Sequence, residues 1–281
     1  MLFHNNLQEK LSKVVIGLFV SVGLLVPFTV SCSAQPPEDA ALKSLRNLTK
    51  KGQMPAESVV ANIETRFAGT KTGALAKLLR ARIQLENGNP MGAANVLNSN
   101  IFQQKTSIAD YALWLRGKAL LKAQRRGEAH RVFSSLIEKY PNSTRTKEAK
   151  MLWAESAQAS GLNSKVPEIL KSLVDEKDPY ALLMTAKAYE KNSNSAQAID
   201  LYRKTYFYGA GTSAGKEAET KLKELEQDLT PRNGEESLAK ADILFKKKNY
   251  RNAASAYDEF ARYFGRNMDS AISQDSYPFS G

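Results

Sequence analysis

Cysteine and histidine are scarce in this 281-residue chain, which has one cysteine and two histidines. The single thiol, Cys32, cannot form an internal disulfide bond, and the two residue types leave no Cys/His metal cluster and no Cys-His catalytic pair. The second histidine, His130, falls inside an amphipathic helical pattern among arginines, where a surface or packing role is expected. We therefore expect no metal, no cofactor and no Ser-His-Asp site.

Glycine and proline are also few, at 16 and 10 residues, and alternating Val/Ile/Thr-rich runs between tight turns are rare. Apolar residues recur instead at helical spacing, so we expect an all-α protein. A glycine-rich phosphate loop is missing as well. The segment 209–211, Gly-Ala-Gly, lacks the lysine and the preceding strand of a nucleotide site.

Acidic residues are outnumbered, with 29 Asp and Glu against 40 Lys and Arg and a formal net charge of +11. This excess can attract an anionic partner such as phospholipid headgroups, nucleic acid or cell-wall polymer, or it can simply keep the protein soluble. The hydrophobic content of 42% argues against wholesale disorder.

The N-terminal region has the pattern of a secretory signal peptide over residues 1–31. Lys10 and Lys13 precede an apolar run, residues 14–26, that is too short for a comfortable membrane span. The segment 29–32, Thr-Val-Ser-Cys, resembles the lipobox of bacterial lipoproteins, although that family usually has leucine in place of the threonine. The resemblance implies lipidation of Cys32 and a lipidated tether over residues 32–38.

A lipidated Cys32 implies an address on the periplasmic side of the bacterial envelope, with membrane contact through the lipid anchor. Ser33 is not the aspartate that the lipoprotein family reads as inner-membrane retention, so the outer membrane is preferred. The alternative is ordinary signal cleavage near Ala34 with an incidental cysteine.

Residues 110–143 carry the clearest structural pattern in the chain. Apolar residues recur at three- and four-residue spacings up to a polar turn at 122–127. The pattern then resumes until Pro141, which lacks a backbone donor and ends the second helix. Two helices of this length cannot enclose a core alone, so the predicted hairpin needs similar neighbours.

The hairpin pattern recurs along the chain. On the second helices a small residue precedes an aromatic by four positions, as in Ala129 and Phe133, and small residues on the first helices allow close helix packing. Ala129 and Ala198 are 69 positions apart, about twice a 34-residue repeat period. The next interval, to Ala253, is 55 positions, and we attribute its excess of about 21 residues to a charged helix at 214–228, interpreted as a surface spacer.

These positions resemble the tetratricopeptide-repeat family. The repeat-packing candidates that carry the resemblance are Gly117, Ala129, Phe133, Pro141, Ala186, Tyr189, Ala198, Tyr202, Ala241, Ala253 and Tyr257. The resemblance implies a right-handed superhelical α-solenoid of tetratricopeptide-like helical hairpins over residues 39–265, then an irregular tail at 266–281. It also implies a groove that binds an envelope protein or peptide. Val166 departs from the pattern by replacing a repeat alanine, and an unrelated irregular helical domain is the alternative.

Two stretches, residues 110–143 and 188–257, also resemble the superhelical N-terminal part of soluble lytic transglycosylases, periplasmic enzymes that cleave peptidoglycan. In that family the chemistry belongs to a separate lysozyme-like C-terminal domain, which we expect this chain to lack, so we predict a non-catalytic protein. The family's catalytic glutamate commonly precedes serine. Such pairs occur here at Glu57, Glu155 and Glu236, but none has the surrounding motif.

Two basic clusters surround predicted hairpin turns. The candidate anion- or partner-binding residues are Arg116, Lys122, Arg125, Arg126, Lys246, Lys247 and Lys248. They can hold an acidic peptide, anionic lipid or the carboxylates of peptidoglycan, or they can be ordinary solvated turns. Nucleic acid is disfavoured because the nearby tyrosines are required for packing.

The function expected from the sequence is a membrane-anchored helical-repeat scaffold that mediates protein–protein interaction in the bacterial cell envelope. The alternative is a truncated or split soluble lytic transglycosylase that retains only the peptidoglycan-associated superhelical region.

Overall fold

The computed structural model describes the backbone of residues 36–50 and 54–274, with side chains for residues 38–50 and 54–265. The predicted signal peptide, Cys32, most of the tether and the end of the tail lie outside this part. Every regular element that the structure describes is a helix, and consecutive helices pack together in pairs. The all-α class with tetratricopeptide-like hairpins is therefore confirmed. None of the described helices is both long enough and apolar enough to cross a membrane.

The first of two compact units ends at Arg145. Its helices are α1 (Pro36–Lys50), α2 (Glu57–Arg66), α3 (Lys71–Glu86), α4 (Pro90–Val96), α5 (Ile101–Lys105), α6 (Ala109–Lys122) and α7 (Arg126–Lys139). Helix α3 packs on α1, α2 and α4, and its Ala76, Leu79 and Ile83 share a core with Leu45 and Val60. Burial of this apolar face holds the N-terminal helices together.

The α6–α7 hairpin corresponds to the clearest sequence pattern. A Cβ added at Gly117 on α6 would lie 2.5 Å from ring carbons Cε1 and Cζ of Phe133 on α7. Because Phe133 is fully buried, the glycine is what lets the two helices approach here. The turn closes at Gln124, which has a left-handed φ of 57°, and through a bond of 2.8 Å from Arg125 N to Leu120 O.

The second unit begins at Thr146, inside the predicted solenoid range. Its helices are α8 (Thr146–Ala159), α9 (Val166–Asp175), α10 (Pro179–Lys191), α11 (Ser195–Tyr208), α12 (Ser213–Glu224), α13 (Gly234–Lys246) and α14 (Tyr250–Gln274), with a 3-10 turn at Asn163–Lys165. Leu182 and Ala186 on α10 form a core with Ala198, Leu201 and Tyr202 on α11.

The charge of segment 214–228 suggested a spacer on the surface. The structure shows a packed helix instead. The helical part of this segment is α12, which packs on α10 and α11. Ala214, Ala218 and Leu222 are spaced by four residues and have exposed fractions of 1%, 0% and 0% within the same core. A narrow apolar stripe is enough to bury one side of a helix whose other sides are charged.

The expected irregular tail is also corrected in part, because α14 continues to Gln274. Apolar residues recur in the sequence here at intervals of four: Phe260, Phe264, Met268 and Ile272. This is the spacing of one helix face, so the helical pattern extends past residue 265.

Candidate partner-binding cleft

A cleft of about 780 Å³ opens in the second unit. It is bounded by the turn 209–212, the start of α12, and the facing sides of α13 and α14. Its volume lies within the range of about 300–1,000 Å³ typical of small-ligand sites. The cleft is partly open to solvent.

The wall of the cleft depends on a close approach between α11 and α12. A Cβ on Gly215 would lie 2.2 Å from the carbonyl oxygen of Gly209, so no larger residue fits there without moving the backbone. Thr212 caps α12 by accepting a hydrogen bond of 3.0 Å from Gly215 N. These contacts fix the N-terminus of α12, with its partial positive charge, in the wall of the cleft.

Lys240 occupies the inner side of the cleft and is fully engaged. Its Nζ donates to the Tyr206 hydroxyl at 2.7 Å, lies 4.6 Å from the centroid of the same ring and is 3.6 Å from Oε2 of Glu259. This half-buried lysine braces α13 against α11 and α14, and it is a structural member of the cleft rather than a free cation.

Two other cations in the cleft are exposed and have no ion-pair partner among the residues that the structure describes: Lys216 and Arg262. Glu219, an acidic residue of the lining, is already paired with Lys223 at 2.5 Å. Tyr263, which also lines the cleft, is 52% exposed. The cleft therefore offers two free positive charges and an aromatic ring to an incoming acidic segment.

A buried arginine connects α11 to the loop before α13 and to the start of α13. Arg203 on α11 is 3% exposed, and its guanidinium donates to the carbonyl oxygens of Asp228 and Thr230, the latter at 2.8 Å. Its Nη2 lies 3.6 Å from Oε2 of Glu236 at the start of α13. Five donors in a fixed fork suit an arginine for holding a loop and a helix end together.

The three Glu-Ser pairs have structural surroundings. Glu236 is held by Arg203, and Glu57 accepts a hydrogen bond of 2.5 Å from Gln84 Nε2. Glu155 is exposed on α8. Glycosidase chemistry needs a pair of carboxyl groups flanking a substrate cleft, and none of these three glutamates lines the cleft of the second unit.

The repeat-packing candidates lie mostly in the hairpin cores. The fully or nearly fully buried ones are Gly117, Ala129, Phe133, Ala186, Ala198, Tyr202, Ala241 and Ala253. Tyr189 and Tyr257 are half-buried against these cores, and Pro141 is exposed just after α7.

Two of these tyrosines bond to acidic residues on the first helix of their own hairpin. The Tyr202 hydroxyl donates to Glu190 Oε2 and that of Tyr257 to Asp242 Oδ1, each at 2.6 Å. Burial, followed by the bond to Glu190, raises the pKa of Tyr202, while the bond to Asp242 and then burial raise that of Tyr257.

The first predicted basic turn is partly neutralised by its neighbours. Arg125 pairs with Glu128, and Arg126 Nη2 donates to Gln124 Oε1 at 2.9 Å. Arg116 is half-buried, and burial lowers its pKa, with the charge of Glu128 opposing the shift. Lys122 is exposed.

The second predicted basic turn adjoins the cleft, because Leu244 and Asn249 on either side of it line the cleft. Lys246, Lys247 and Lys248 are all exposed. A Cβ on Gly211 would lie 3.2 Å from Lys247 Cδ, so the stem of this lysine passes over the turn that bounds the cleft.

Sequence reasoning missed both the cleft and an aromatic–cation cluster in the first unit. Tyr111 and Trp114 stack with centroids 5.4 Å apart, and Arg145 Cζ lies 4.6 Å and 4.3 Å from them. The Trp114 Nε1 is buried and has no hydrogen-bond partner among the described residues. Arg145 follows Tyr111 by 34 positions, one repeat period, and that spacing was the available signal.

Comparison with known families identifies the repeats. The tetratricopeptide-repeat family matches residues 111–143 and 180–205, which are the α6–α7 hairpin and most of α10–α11. These two hairpins of the all-α chain are therefore of the tetratricopeptide type. Repeats of this kind stack into extended protein-binding surfaces.

Two similar solved structures are MamA proteins. One is described as a MamA RS-1 ArsTM double mutant, with TM-score 0.39 and 16% identity, covering 80% of this chain and 100% of that chain. The other is MamA from residue 41 to its end from Desulfovibrio magneticus RS-1, with TM-score 0.38, 16% identity and the same coverage. No curated protein matches the chain significantly.

Proposed function

We propose that this protein is a membrane-anchored helical-repeat scaffold that mediates protein–protein interaction in the bacterial cell envelope. The observation that carries the proposal is the open cleft of the second unit, where Lys216 and Arg262 have no ion-pair partner among the described residues. Unpaired cations around an open cleft in a tetratricopeptide-type unit fit a binding surface for another protein.

The occupant is an extended acidic segment of an envelope protein. Its carboxylates pair with Lys216 and Arg262, and an apolar or aromatic side chain contacts Tyr263 at the rim. Lys240 does not need to move, because it keeps its bonds to Tyr206 and Glu259. The binding is expected to weaken with salt, because the contacts are at the surface.

Site-specific photocrosslinking tests this assignment. A photoreactive residue at Asn252 or Ser255, both in the cleft lining, should capture a defined set of envelope proteins in intact cells. The variant Lys216→Glu/Arg262→Glu should lose those products, with binding of a captured partner's acidic segment weakened about tenfold or more.

A charge-matched control separates the cleft from the net charge. Lys165→Glu/Lys191→Glu makes the same change at two exposed positions of the same unit outside the cleft lining. It should leave the crosslinked products in place. Capture that survives Lys216→Glu/Arg262→Glu, or that the control abolishes equally, would refute the cleft as the binding surface.

The membrane anchor is the lipid on Cys32, which lies outside the described residues. Its basis is the resemblance of residues 29–32 to a lipobox. A clickable fatty acid should label the full chain and not the Cys32→Ser variant. Equal labelling of the two would contradict the anchor and, with it, the preferred outer-membrane address.

A truncated or split lytic transglycosylase is the second candidate, and its basis is sequence resemblance alone. It requires contact with peptidoglycan, whereas the scaffold function does not. Co-sedimentation with purified peptidoglycan sacculi separates the two, because only the second candidate predicts that the protein pellets with them.

A further inference from the structure

The turn between α13 and α14 exposes aromatic rings and positive charges together. We call residues 245–251 the aromatic–basic tip. Phe245 and Tyr250 are 55% and 58% exposed, and they rank among the most exposed large hydrophobic side chains that the structure describes. Lys246, Lys247, Lys248 and Arg251 are exposed in the same seven-residue segment.

The backbone of the tip is tightly closed. Lys248 adopts a left-handed φ of 60°, and its N–H bonds to Phe245 O at 2.8 Å. Asn249 N bonds to Leu244 O at 2.9 Å, which completes the closure of the helix end. The conformation therefore holds the two aromatic side chains on either side of the turn at the end of the hairpin.

The two exposed rings contact each other. Phe245 and Tyr250 meet edge to face, with centroids 5.6 Å apart and an angle of 66° between the ring planes. The hairpin core beneath them is made by Ala241, Leu244 and Ala253, which are buried. The exposed pair is therefore not needed to fill that core, and more than half of each side chain stays in water.

The positive charges of the tip are also uncommitted. None of its four cations forms an ion pair with any residue that the structure describes; they are Lys246, Lys247, Lys248 and Arg251. The other basic turn differs, because Arg125 there pairs with Glu128 and no large hydrophobic side chain is exposed in it.

We infer that the aromatic–basic tip docks on an anionic lipid surface. Aromatic side chains settle at the level of the lipid headgroups, and lysines near the surface are attracted to anionic lipids by about 1 kcal/mol each. The tip stands at the end of two helices, and Phe245 and Tyr250 do not line the cleft, so it suits a flat surface better than an extended peptide. Asn249 of the tip lines the cleft, but the two aromatic rings and the four cations do not, so the inference does not depend on what occupies the cleft.

Tryptophan quenching by brominated lipids tests the contact at the tip itself. Residues 32–281 carrying Cys32→Ser, which have neither the apolar run 14–26 nor an acyl chain, are compared with the same chain carrying Phe245→Trp. Vesicles of brominated phosphatidylcholine with phosphatidylglycerol should quench the added tryptophan, beyond the constant signal of Trp114 and Trp153. Vesicles without phosphatidylglycerol should not.

The charges are tested in the same Cys32→Ser/Phe245→Trp background. Replacing Lys246, Lys247 and Lys248 by glutamine should raise the phosphatidylglycerol needed for half-maximal quenching about 100-fold. The matched control replaces Lys122, Arg125 and Arg126 by glutamine and should change it by less than about twofold, because that turn has no exposed aromatic pair and its arginines are engaged. Since all six residues are at the surface, far-UV circular dichroism should show the same helix content.

Three results would overturn the inference. The first is no additional quenching of the Phe245→Trp chain by anionic vesicles, and the second is equal quenching by neutral ones. The third combines two observations. The chain binds an acidic polypeptide such as polyglutamate and loses that binding when the lysines are replaced, but the vesicles do not quench the tryptophan at position 245. That third result would assign the tip to a protein partner.

Discussion

Asp178 caps the N-terminus of α10 and ties it to α8. Its Oδ1 accepts hydrogen bonds of 3.0 Å from Tyr180 N and Ala181 N, and its Oδ2 lies 2.6 Å from Lys147 Nζ. Burial alone would raise the pKa of Asp178, but the bonds from Lys147 and from the helix N–H groups together outweigh it and lower the pKa.

The lowered pKa of Asp178 predicts a loss of stability in acid. The ionised carboxylate stabilises the fold at any pH above its ordinary value of 3.8, and this contribution is lost as the pH falls through the lower folded-state pKa. Asp178→Ala should therefore cost about 1 kcal/mol of unfolding free energy at pH 7 and much less near pH 2. Urea titrations of both proteins across this range measure the difference.

Asp178→Asn is the control for the charge, because asparagine can still cap the helix. Its deficit relative to the wild type should also shrink as the pH falls. A deficit that stays constant from pH 7 to pH 2 would show that the charge of Asp178 does not contribute.

Gly117 allows the close approach of α6 and α7 at Phe133. Gly117→Ala should destabilise the protein by about 1–3 kcal/mol, because the new methyl group would lie 2.5 Å from ring carbons of the fully buried Phe133. Adding Phe133→Leu to that variant should recover part of the loss, and a double-mutant cycle measured by thermal unfolding gives the coupling.

Gly127→Ala is the matched control, since a Cβ there would meet nothing within 4 Å. It should leave stability unchanged or raise it by up to about 1 kcal/mol, because alanine favours a helix over glycine. Additive effects of Gly117→Ala and Phe133→Leu would contradict the packing explanation.

Helix α12 is an element whose position decides whether the cleft exists, because its N-terminus forms one wall. Leu222→Ala should cost about 2–5 kcal/mol, since this side chain is fully buried between α10 and α11. Leu225→Ala, at the end of the same helix and 38% exposed, should cost about 0.5 kcal/mol or less. Similar costs at the two leucines, measured by chemical denaturation, would return α12 to the role of a surface spacer.

Helix periodicity predicted most elements of the fold, whereas the cleft needed the structure. The α6–α7 and α10–α11 hairpins follow from apolar residues at spacings of three and four. The interpretation of α12 as a surface spacer is wrong. Its charged residues are more numerous than its buried apolar residues, Ala214, Ala218 and Leu222, which form a stripe only one residue wide. The cleft could not be predicted, because Lys216 and Arg262 are brought together only by the way α12, α13 and α14 pack.

The two compact units each have their own hydrophobic core. Leu45, Val60 and Ile83 belong to one core in the first unit, and Leu182 and Leu222 belong to another in the second. In proteins built from stacked hairpins, each repeat is stabilised mainly by its nearest neighbours, so local opening need not spread through the molecule.

Native-state hydrogen exchange tests how far a local defect spreads. Leu222→Ala should lower the amide protection of α10 to α13 and leave α2 to α4 within about threefold of the wild type, because Leu222 contributes only to the second core. The reciprocal variant, Ile83→Ala, removes a side chain that is 2% exposed in the first core and should give the opposite pattern. Equal loss of protection in both units from either variant would mean that the chain unfolds as one cooperative body, and binding at the cleft would then stabilise every helix rather than those around it.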